Sequence, residues 1–383
     1  MMSRNEKRGA EINGGGARRF DAVRFLFGAV SLLALFLIIK NSELAIDYME
    51  RGMKLCVLSV IPSLFPFMVA SELIVSSGAA ENIGGLLKKP FRRVFGVGGE
   101  GASAFLLGMI CGFPVGTRAA LSLYKRERIS RADFARLICF SNVPSSAFVI
   151  SAVGSSLFGC RNFGIALYCI TILSALVTGL LLNALCGGAG LDEEYCERAR
   201  DEKKRGGISS VSGAVVSAAS AMLGVCGFVI FFSVITGLLG SILDGLGASQ
   251  ILKAWFFALF ELTGGVASAA GVKPISLAVI IAAFAVGWSG MSVHFQVASF
   301  CDGVNVHFGR YLLSKLFHGT LNALLCFLYM RFFGSELTFD VKSVAAFDLI
   351  TGGMGEIRIL ISAVFFSVVC IAFFSWVKRS AKG

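Results

Sequence analysis

Long apolar runs recur along this chain, and each of them is long enough to cross a lipid bilayer as a helix. Residues 163–187 (FGIALYCITILSALVTGLLLNALCG) and 357–377 (IRILISAVFFSVVCIAFFSWV) are two examples. A bilayer core about 30 Å thick is crossed by roughly 20 helical residues. Because 56% of the residues are apolar and the mean hydropathy is +0.78, the sequence predicts an all-α polytopic membrane protein.

The formal net charge of +11 fits this class, because excess Lys and Arg hold the cytoplasmic loops of membrane proteins in place. We therefore expect no nucleic-acid partner. Residues 1–23 are basic and glycine-rich and are predicted to be disordered. Residues 24–52 are predicted to hold an extra first transmembrane helix and a loop; no small-residue cleavage site follows, which indicates a retained helix and not a signal peptide.

The eleven cysteines form no C-x-x-C pair. Most lie inside apolar segments, where a thiol packs as a small apolar side chain. Zinc and disulfide patterns need closer spacing. We therefore predict no metal site, and no cofactor beyond a coupling ion, Na⁺ or H⁺.

Two of the apolar segments are interrupted near their middles. Residues 101–124 contain the sequence GFPVG, and residues 276–299 contain GWSG. A helix breaks within hydrocarbon only where protein or a wet cavity surrounds the break, so each segment is predicted to be a re-entrant helical hairpin. Two amphipathic stretches, 81–97 and 249–262, are predicted to lie in the membrane interface. The predicted crossings are 24–40, 53–78, 131–152 (itself broken at 140–146), 163–187, 213–240, 304–332 and 357–377.

The chain also resembles itself. FGVGGEGASA (95–104) matches FELTGGVASA (260–269), and CGFPVGTRAAL (111–121) lines up with SGMSVHFQVAS (289–299). The order of predicted elements supports two repeats of inverted orientation, at 53–187 and 213–377. A charged cytoplasmic loop, 188–212, separates them, and 378–383 is a tail. Inverted repeats with discontinuous helices are a recurring plan of secondary transporters.

The breaks are where the sequence predicts substrate binding. The second half of a broken helix starts with unpaired N–H groups and a partial positive charge, which suit an anion. Pro114 donates no hydrogen bond and Gly112 and Gly116 permit a tight turn, while Arg118 adds donors for a carboxylate. The full predicted set of substrate-binding residues is Gly112, Phe113, Pro114, Gly116, Thr117, Arg118, Asn142, Ser145, Ser146, Ser289, Gly290, Ser292, His294, Gln296 and His318.

A different chemistry is conceivable at the second break. The sequence Gly287-Trp288-Ser289-Gly290 matches the G-x-S-G of intramembrane serine proteases of the rhomboid type, and His318 follows on a later segment. A nucleophile needs a base within hydrogen-bond reach, and the break at 112–116 has no serine. We therefore predict no enzyme activity and no catalytic residue.

GMICGFPVGTRAALSLYKRERISRADFARLICFSNVPSSAFVISAVGSSLFG (108–159) and GWSGMSVHFQVAS (287–299) resemble the paired signatures of the sporulation integral membrane proteins of the YlbJ type, also called stage V sporulation protein V. The resemblance covers roughly residues 55–335. It implies a gate-type nucleoside-recognition fold, similar in plan to concentrative nucleoside transporters. It also implies a location in a bacterial cell membrane, in the outer forespore membrane where the cell forms spores, and the transport of dipicolinate.

The sequence thus predicts a secondary transporter of a small organic anion, with dipicolinate the first candidate, that works by alternating access. The expected partners are this anion, membrane lipid and further copies of the chain in a homo-oligomer. Two alternatives stay open. One is a nucleoside or metabolite carrier coupled to Na⁺ or H⁺, and the other is a sporulation membrane factor that transports nothing and recruits partners through the loop 188–210.

Overall fold

The computed structural model describes residues 25, 28–186, 208–334 and 337–339, and these residues form a set of packed helices. The predicted disordered segment 1–23, most of the loop 188–212, the last crossing 357–377 and the tail 378–383 lie outside the described residues. The helices are α1 (Gly28–Lys40), α2 (Ser42–Leu55), α3 (Ile61–Ser76), α4 (Ala79–Phe95), α5 (Gly101–Cys111), α6 (Val115–Lys125), α7 (Arg131–Phe140), α8 (Arg161–Cys186), α9 (Ile208–Gly245), α10 (Gln250–Phe260), α11 (Leu262–Ala270), α12 (Ile275–Trp288), α13 (Gly290–Phe300) and α14 (Phe308–Phe333). Two segments, Cys56–Val60 and Ala147–Leu157, are π-helical.

Four helical segments of the described chain are long and apolar enough to cross a membrane. They are Arg161–Leu185, Val211–Gly245, Ile275–Phe300 and Phe308–Phe333. A fifth span is possible if α1 and α2, which meet at an angle of 100°, form one bent crossing. The protein is therefore a multi-pass integral membrane protein, as the sequence predicts.

Two predicted crossings are not single long helices. Residues 53–78 run from the end of α2 through the π-helical turn Cys56–Val60 into α3, and only Leu64–Ser76 is a continuous apolar helix. Residues 131–152 divide into α7 and the π-helical segment Ala147–Leu157, with a non-helical stretch between them. This second division is the break that the sequence predicts at 140–146.

The first interrupted segment is the expected hairpin. The helices α5 and α6 are joined by Gly112, Phe113 and Pro114 and pack against each other. Gly112 has φ 81°, a left-handed conformation that glycine adopts without strain. The two arms approach so closely that a Cβ atom added at Gly108 would lie 3.1 Å from the Cα of Gly116.

The second interrupted segment differs from the prediction, because 276–299 does not turn back. Ile275–Phe300 forms one candidate span of 26 residues, composed of α12 and α13. Ser289 (φ 77°) and Gly290 (φ 80°) interrupt the helix only locally. The hairpin of this region lies earlier, where α11 packs against α12 across the four residues 271–274. The pairing of GFPVG with GWSG therefore does not equate two hairpin tips.

The α12–α13 span is the interior helix of the described structure. Of its most apolar window, 89% is buried, against 28–33% for the other three spans. The helix α12 packs against α8, α11 and α14, and its residues lie in one apolar core. A second apolar core joins α3 to α7. Because protein surrounds α12, the α12–α13 span can hold polar groups that lipid would not accept.

Candidate functional site

One face of α14 carries three ionisable side chains that are closed off from solvent. Tyr311, Lys315 and His318 are four and three residues apart, so they lie on one side of the helix. Each is at most 1% exposed. Their helix packs against α7, α8 and α12. Ionisable groups at such a depth are costly and mark a functional site by default.

Tyr311 connects α13 to the non-helical residues between α7 and the π-helical segment Ala147–Leu157. These residues, at the break predicted at 140–146, are called the first break. The Nδ2 atom of Asn142 donates to the Tyr311 hydroxyl at 3.2 Å, and the Nδ1 atom of His294 lies 3.0 Å from the same hydroxyl. Because the hydroxyl accepts from Asn142, it is placed to donate to Nδ1 of a neutral His294. The other ring nitrogen, Nε2, is then an N–H donor.

Lys315 connects the same break to α8. Its Nζ donates to the main-chain carbonyl of Asn142 at 2.8 Å and lies 3.1 Å from Nδ1 of His318. The Nε2 atom of His318 lies 3.1 Å from the carbonyl of Thr171. A carbonyl only accepts, so Nε2 of His318 carries the proton and Nδ1 accepts from the lysine. A continuous hydrogen-bonded chain thus runs from Thr171 to Asn142 and, through the amide of that residue, to Tyr311.

Several polar atoms beside this chain have no hydrogen-bond partner. Within the part of the chain that the structure describes, they are Oγ of Ser141, Oδ1 of Asn142, Oγ of Ser289 and Nε2 of His294. All four residues are fully buried. An unsatisfied buried polar group costs about 1–3 kcal/mol, so such groups usually bind water, an ion or a ligand. Asn142 and His294 both bond to Tyr311, so the free acceptor Oδ1 of Asn142 and the free donor Nε2 of His294 could together orient a polar molecule.

The first hairpin packs directly on the first break. A Cβ atom added at Gly116 would lie 2.7 Å from the carbonyl oxygen of Ser141, and one added at Gly112 would lie 2.5 Å from the backbone nitrogen of Ser145. Only glycine fits at either position without a shift of backbone. The hairpin tip and the break at 140–146 are therefore in contact.

The second break, at Ser289 and Gly290 between α12 and α13, packs against the junction of α10 and α11. A Cβ atom on Gly290 would lie 3.0 Å from the Cα of Glu261, and the indole nitrogen of Trp288 donates to the carbonyl of Leu259 at 3.0 Å. The Trp288 ring stands 4.2 Å from the His294 ring, centroid to centroid. This packing fixes the orientation of His294 toward the buried polar chain.

A separate cavity of about 350 Å³ lies between α6, α9 and α13. Its polar side chains are Arg118, Lys125, Ser217, Ser220, Gln296 and Ser299, and the aromatic rings of Phe228 and Phe300 form part of the wall. The volume is in the range of small-molecule sites, roughly 300–1,000 Å³. Of the predicted residues, Arg118 and Gln296 meet here although they are far apart in sequence.

Arg118 is held at this cavity by two neighbours. Its Nη2 donates to Oγ of Ser217 at 2.9 Å and lies 4.0 Å from a carboxylate oxygen of Glu72. Glu72 also accepts from Ser122 at 3.0 Å and pairs with Arg126 at 3.5 Å. The Nη1 atom of Arg118 is buried and has no hydrogen-bond partner among the described residues. The guanidinium is thus oriented on one side and has an open donor on the other.

The geometry of Ser289 differs from that of a protease nucleophile. Its Oγ has no hydrogen-bond partner within the described residues. Both ring nitrogens of His318 are engaged elsewhere, with Lys315 and with the Thr171 carbonyl. The G-x-S-G sequence therefore belongs to a helix break at which Ser289 is not paired with His318.

The predicted residues fall into two regions and the contacts that support them. Arg118 and Gln296 line the cavity, while Asn142, His294 and His318 belong to the buried polar centre, which is the hydrogen-bonded chain from Thr171 to Tyr311 and His294. Ser289 is buried, and its hydroxyl has no partner among the described residues. Gly112, Gly116 and Gly290 provide close backbone contacts. The remaining predicted residues are Phe113, packed against both apolar cores, Pro114, Thr117 and Ser292, which are buried, and Ser145 and Ser146, which are partly buried.

Sequence reasoning missed several residues that complete these regions. Lys315 and Tyr311 join the buried chain, and Glu72, Lys125 and Ser217 surround Arg118. A signal for the first two was present, since two ionisable residues four apart in an apolar helix lie on one face. Glu72 and Ser217 carried no such signal, because α3 and α9 reach Arg118 only in the folded chain.

Comparisons with known proteins agree with the resemblance drawn from the motifs. Residues 57–158 match the model of the Gate family, described as nucleoside recognition. The chain is 27% identical over 328 residues to the sporulation integral membrane protein YlbJ of Bacillus subtilis (strain 168), covering 77% of this chain and 79% of that protein. No solved structure matches the chain. The resemblance to the sporulation membrane proteins of the YlbJ type is thereby confirmed.

Proposed function

We propose that this chain, a transporter-like membrane protein that resembles the YlbJ-type sporulation proteins, is a secondary transporter of a small organic anion. Dipicolinate, a compact aromatic dianion, is the first candidate substrate. The observation that carries the proposal is the buried side chain of Arg118, which lines a cavity of about 350 Å³ and keeps one nitrogen, Nη1, without a hydrogen-bond partner among the described residues. A buried guanidinium that keeps an unused donor beside a cavity of this size suits the binding of an anion.

The charges around the cavity favour a substrate with two negative charges. Arg118 and Lys125 line the cavity, and Arg118 shares its partner Glu72 with Arg126. Three cations against this one carboxylate leave two positive charges in excess. Arginine presents a planar array of donors that matches a carboxylate. An aromatic ring between the carboxylates would pack against Phe228 and Phe300.

The proposed mechanism is alternating access at broken helices. The first hairpin carries Arg118 on its second arm, and α13, the second half of a broken span, carries Gln296 to the same cavity. Movement of these two elements relative to α9 would open the cavity to one side or the other. Discontinuous helices serve this purpose in secondary transporters.

The proposal is tested by uptake of labelled dipicolinate into liposomes that contain the purified protein. Arg118→Ala removes the charge-assisted hydrogen bonds, which are worth about 1.5–3 kcal/mol, so we expect a loss of roughly 10- to 100-fold in apparent affinity. Arg93→Ala, which removes an exposed arginine of α4, is the matched control and should transport normally. Normal uptake by the Arg118 variant, or the same loss in both variants, would contradict the assignment.

A nucleoside carrier is the second candidate, because the family model that matches residues 57–158 is described as nucleoside recognition. A neutral nucleoside would use the hydrogen-bonding groups of the buried centre and would have no need for the excess charge at Arg118. Competition separates the two. Inhibition of dipicolinate uptake by unlabelled nucleosides would favour the nucleoside carrier. Inhibition by dipicolinate analogues would favour the organic-anion transporter.

A further inference from the structure

Lys315 is a basic side chain with no exposure to solvent. Its Nζ contacts the Asn142 carbonyl at 2.8 Å and the His318 imidazole at 3.1 Å. Neither partner is a carboxylate, although a buried ammonium group is costly without a paired charge. An amine in this setting, on a helix that is long and apolar enough to cross the membrane, calls for a functional explanation.

The position of the Lys315 amine suggests a function in ion coupling. Asn142 follows the end of α7, which finishes at Phe140. The end of a helix presents carbonyl groups with partial negative charge. In secondary transporters the carbonyls of unwound segments and half-helix ends coordinate the coupling cation. Here the nitrogen of Lys315 already occupies that position, bound to the first break of the chain.

We propose that Lys315 is the group that couples transport to protons, an inference that rests on the proposed transport function and identifies H⁺ as the coupling ion. The amine takes up one proton from the aqueous phase on one side and becomes an ammonium ion held by the Asn142 carbonyl. It releases the same proton on the other side. Only one N–H bond forms and breaks. The transported proton offsets one negative charge of the anion that crosses the membrane with it.

The surroundings of the amine suit a proton carrier. The helices α7, α8 and α12 pack against α14, and α13 contacts it through His294 and Tyr311. The ionisable groups around Lys315 and its partner Asn142 are Cys139 of α7, His294 of α13 and, on α14 itself, Tyr311 and His318. The helix α12 has no ionisable side chain, and α8 contributes the Thr171 carbonyl bound to His318. Each of these ionisable groups can donate or accept a proton, and none of them is a carboxylate.

The first test uses the wild-type protein in liposomes. One sample has a pH gradient, acidic outside, in buffers free of Na⁺, and a second has an inward Na⁺ gradient at equal pH. Labelled dipicolinate should accumulate several-fold above its equilibrium level in the first sample and not in the second. Accumulation driven by Na⁺, or uptake that ignores the pH gradient, would overturn the inference and leave the transport function standing.

The second test uses two variants of one position. Lys315→Met has no group to protonate, and Lys315→Arg keeps a charge that it does not release. In both, the ratio of uptake with and without the pH gradient should fall to about one. Lys253→Met, which removes a lysine paired with Asp244 away from the centre, should keep the wild-type ratio. A wild-type ratio in the arginine variant would refute the role of Lys315.

The two proposals fail in different ways. If no anion enters the liposomes under any gradient, the proposed function is wrong and the inference is lost with it. If dipicolinate enters but stops at equilibrium in both gradients, only proton coupling is wrong. If the Lys315 variants do not fold, the wild-type measurements with a pH gradient and with a Na⁺ gradient still decide whether transport is coupled to protons.

Discussion

Asn322 connects three helices through a single carboxamide group. Its Oδ1 accepts from Oγ of Ser174 on α8 at 3.2 Å, and its Nδ2 donates to the carbonyl of Ala283 on α12 at 2.7 Å. The residue itself lies on α14 and is fully buried. One turn of helix separates it from His318, so the amide holds in place the helices that carry the buried polar chain.

Replacing Asn322 with alanine should destabilise the protein by about 1–3 kcal/mol, because both partners would lose a buried hydrogen bond. The measurement is the thermal unfolding midpoint of the purified protein in detergent. Ser233→Ala, which removes a hydrogen bond made within α9 to the carbonyl of Val229, is the control and should shift the midpoint less. An equal shift in both would mean that the carboxamide does not brace the three helices.

At this scale the sequence allowed prediction of residue types and not of partners. Arg118 stood out because a charge inside an apolar segment is unusual, and the structure does place it at a cavity. Its neighbour Glu72 lies 46 positions earlier on α3, and nothing in either local sequence links them. Lys315 was missed, because its bond to the Asn142 carbonyl depends on how α7 and α14 pack.

Among the elements, the first hairpin depends most on the absence of side chains. A Cβ atom at Gly116 would lie 2.7 Å from the Ser141 carbonyl oxygen and 2.8 Å from the Cα of Gly108. Both neighbours are backbone atoms and cannot rotate away. The two arms of the hairpin and the first break are thus packed as one unit.

Gly116→Ala should therefore separate the hairpin from the break. Overpacking of this kind costs about 1–3 kcal/mol, and we expect a lower unfolding midpoint together with slower dipicolinate uptake. Gly227→Ala on α9 is the matched control, because nothing lies within 4 Å of the added atom. Alanine is the better helix former, so the control should be neutral or slightly stabilised. Wild-type stability and uptake in the Gly116 variant would show that the contact is not required.

In the region of the second predicted hairpin, the sequence predicted that a helix is interrupted but not whether the chain reverses direction there. The sequence GWSG signals an interruption, and the structure has one at Ser289 and Gly290. A local interruption and a reversal of direction look alike in sequence, since small residues serve both. The reversal occurs instead at 271–274, where Pro274 precedes α12. The choice between the two is made by burial of α12 among its neighbours, which is a property of the whole fold.

For the whole molecule, composition was sufficient to predict a multi-pass helical membrane protein. The division into inverted repeats at 53–187 and 213–377 stays a prediction; the Gate match at 57–158 lies within the first of them. What composition could not supply is the arrangement in which α13 contributes to both regions, with Gln296 at the cavity and His294 bonded to Tyr311 of the buried chain. That arrangement is what turns separate motifs into a proposal for anion transport.

Ligand-dependent stability of the whole protein tests that arrangement without any transport assay. A ligand that binds only the folded state stabilises it by RT ln(1 + [L]/Kd), about 2.7 kcal/mol at one hundred times Kd. Dipicolinate should raise the unfolding midpoint of the wild-type protein in a concentration-dependent manner, and benzoate, with one carboxylate, should raise it less. The dipicolinate effect should disappear in Arg118→Ala and persist in Arg93→Ala, because only the first residue lines the cavity. Stabilisation by nucleosides and not by dipicolinate would contradict the anion site and favour a nucleoside carrier, because a neutral ligand gains nothing from the excess positive charge around Arg118.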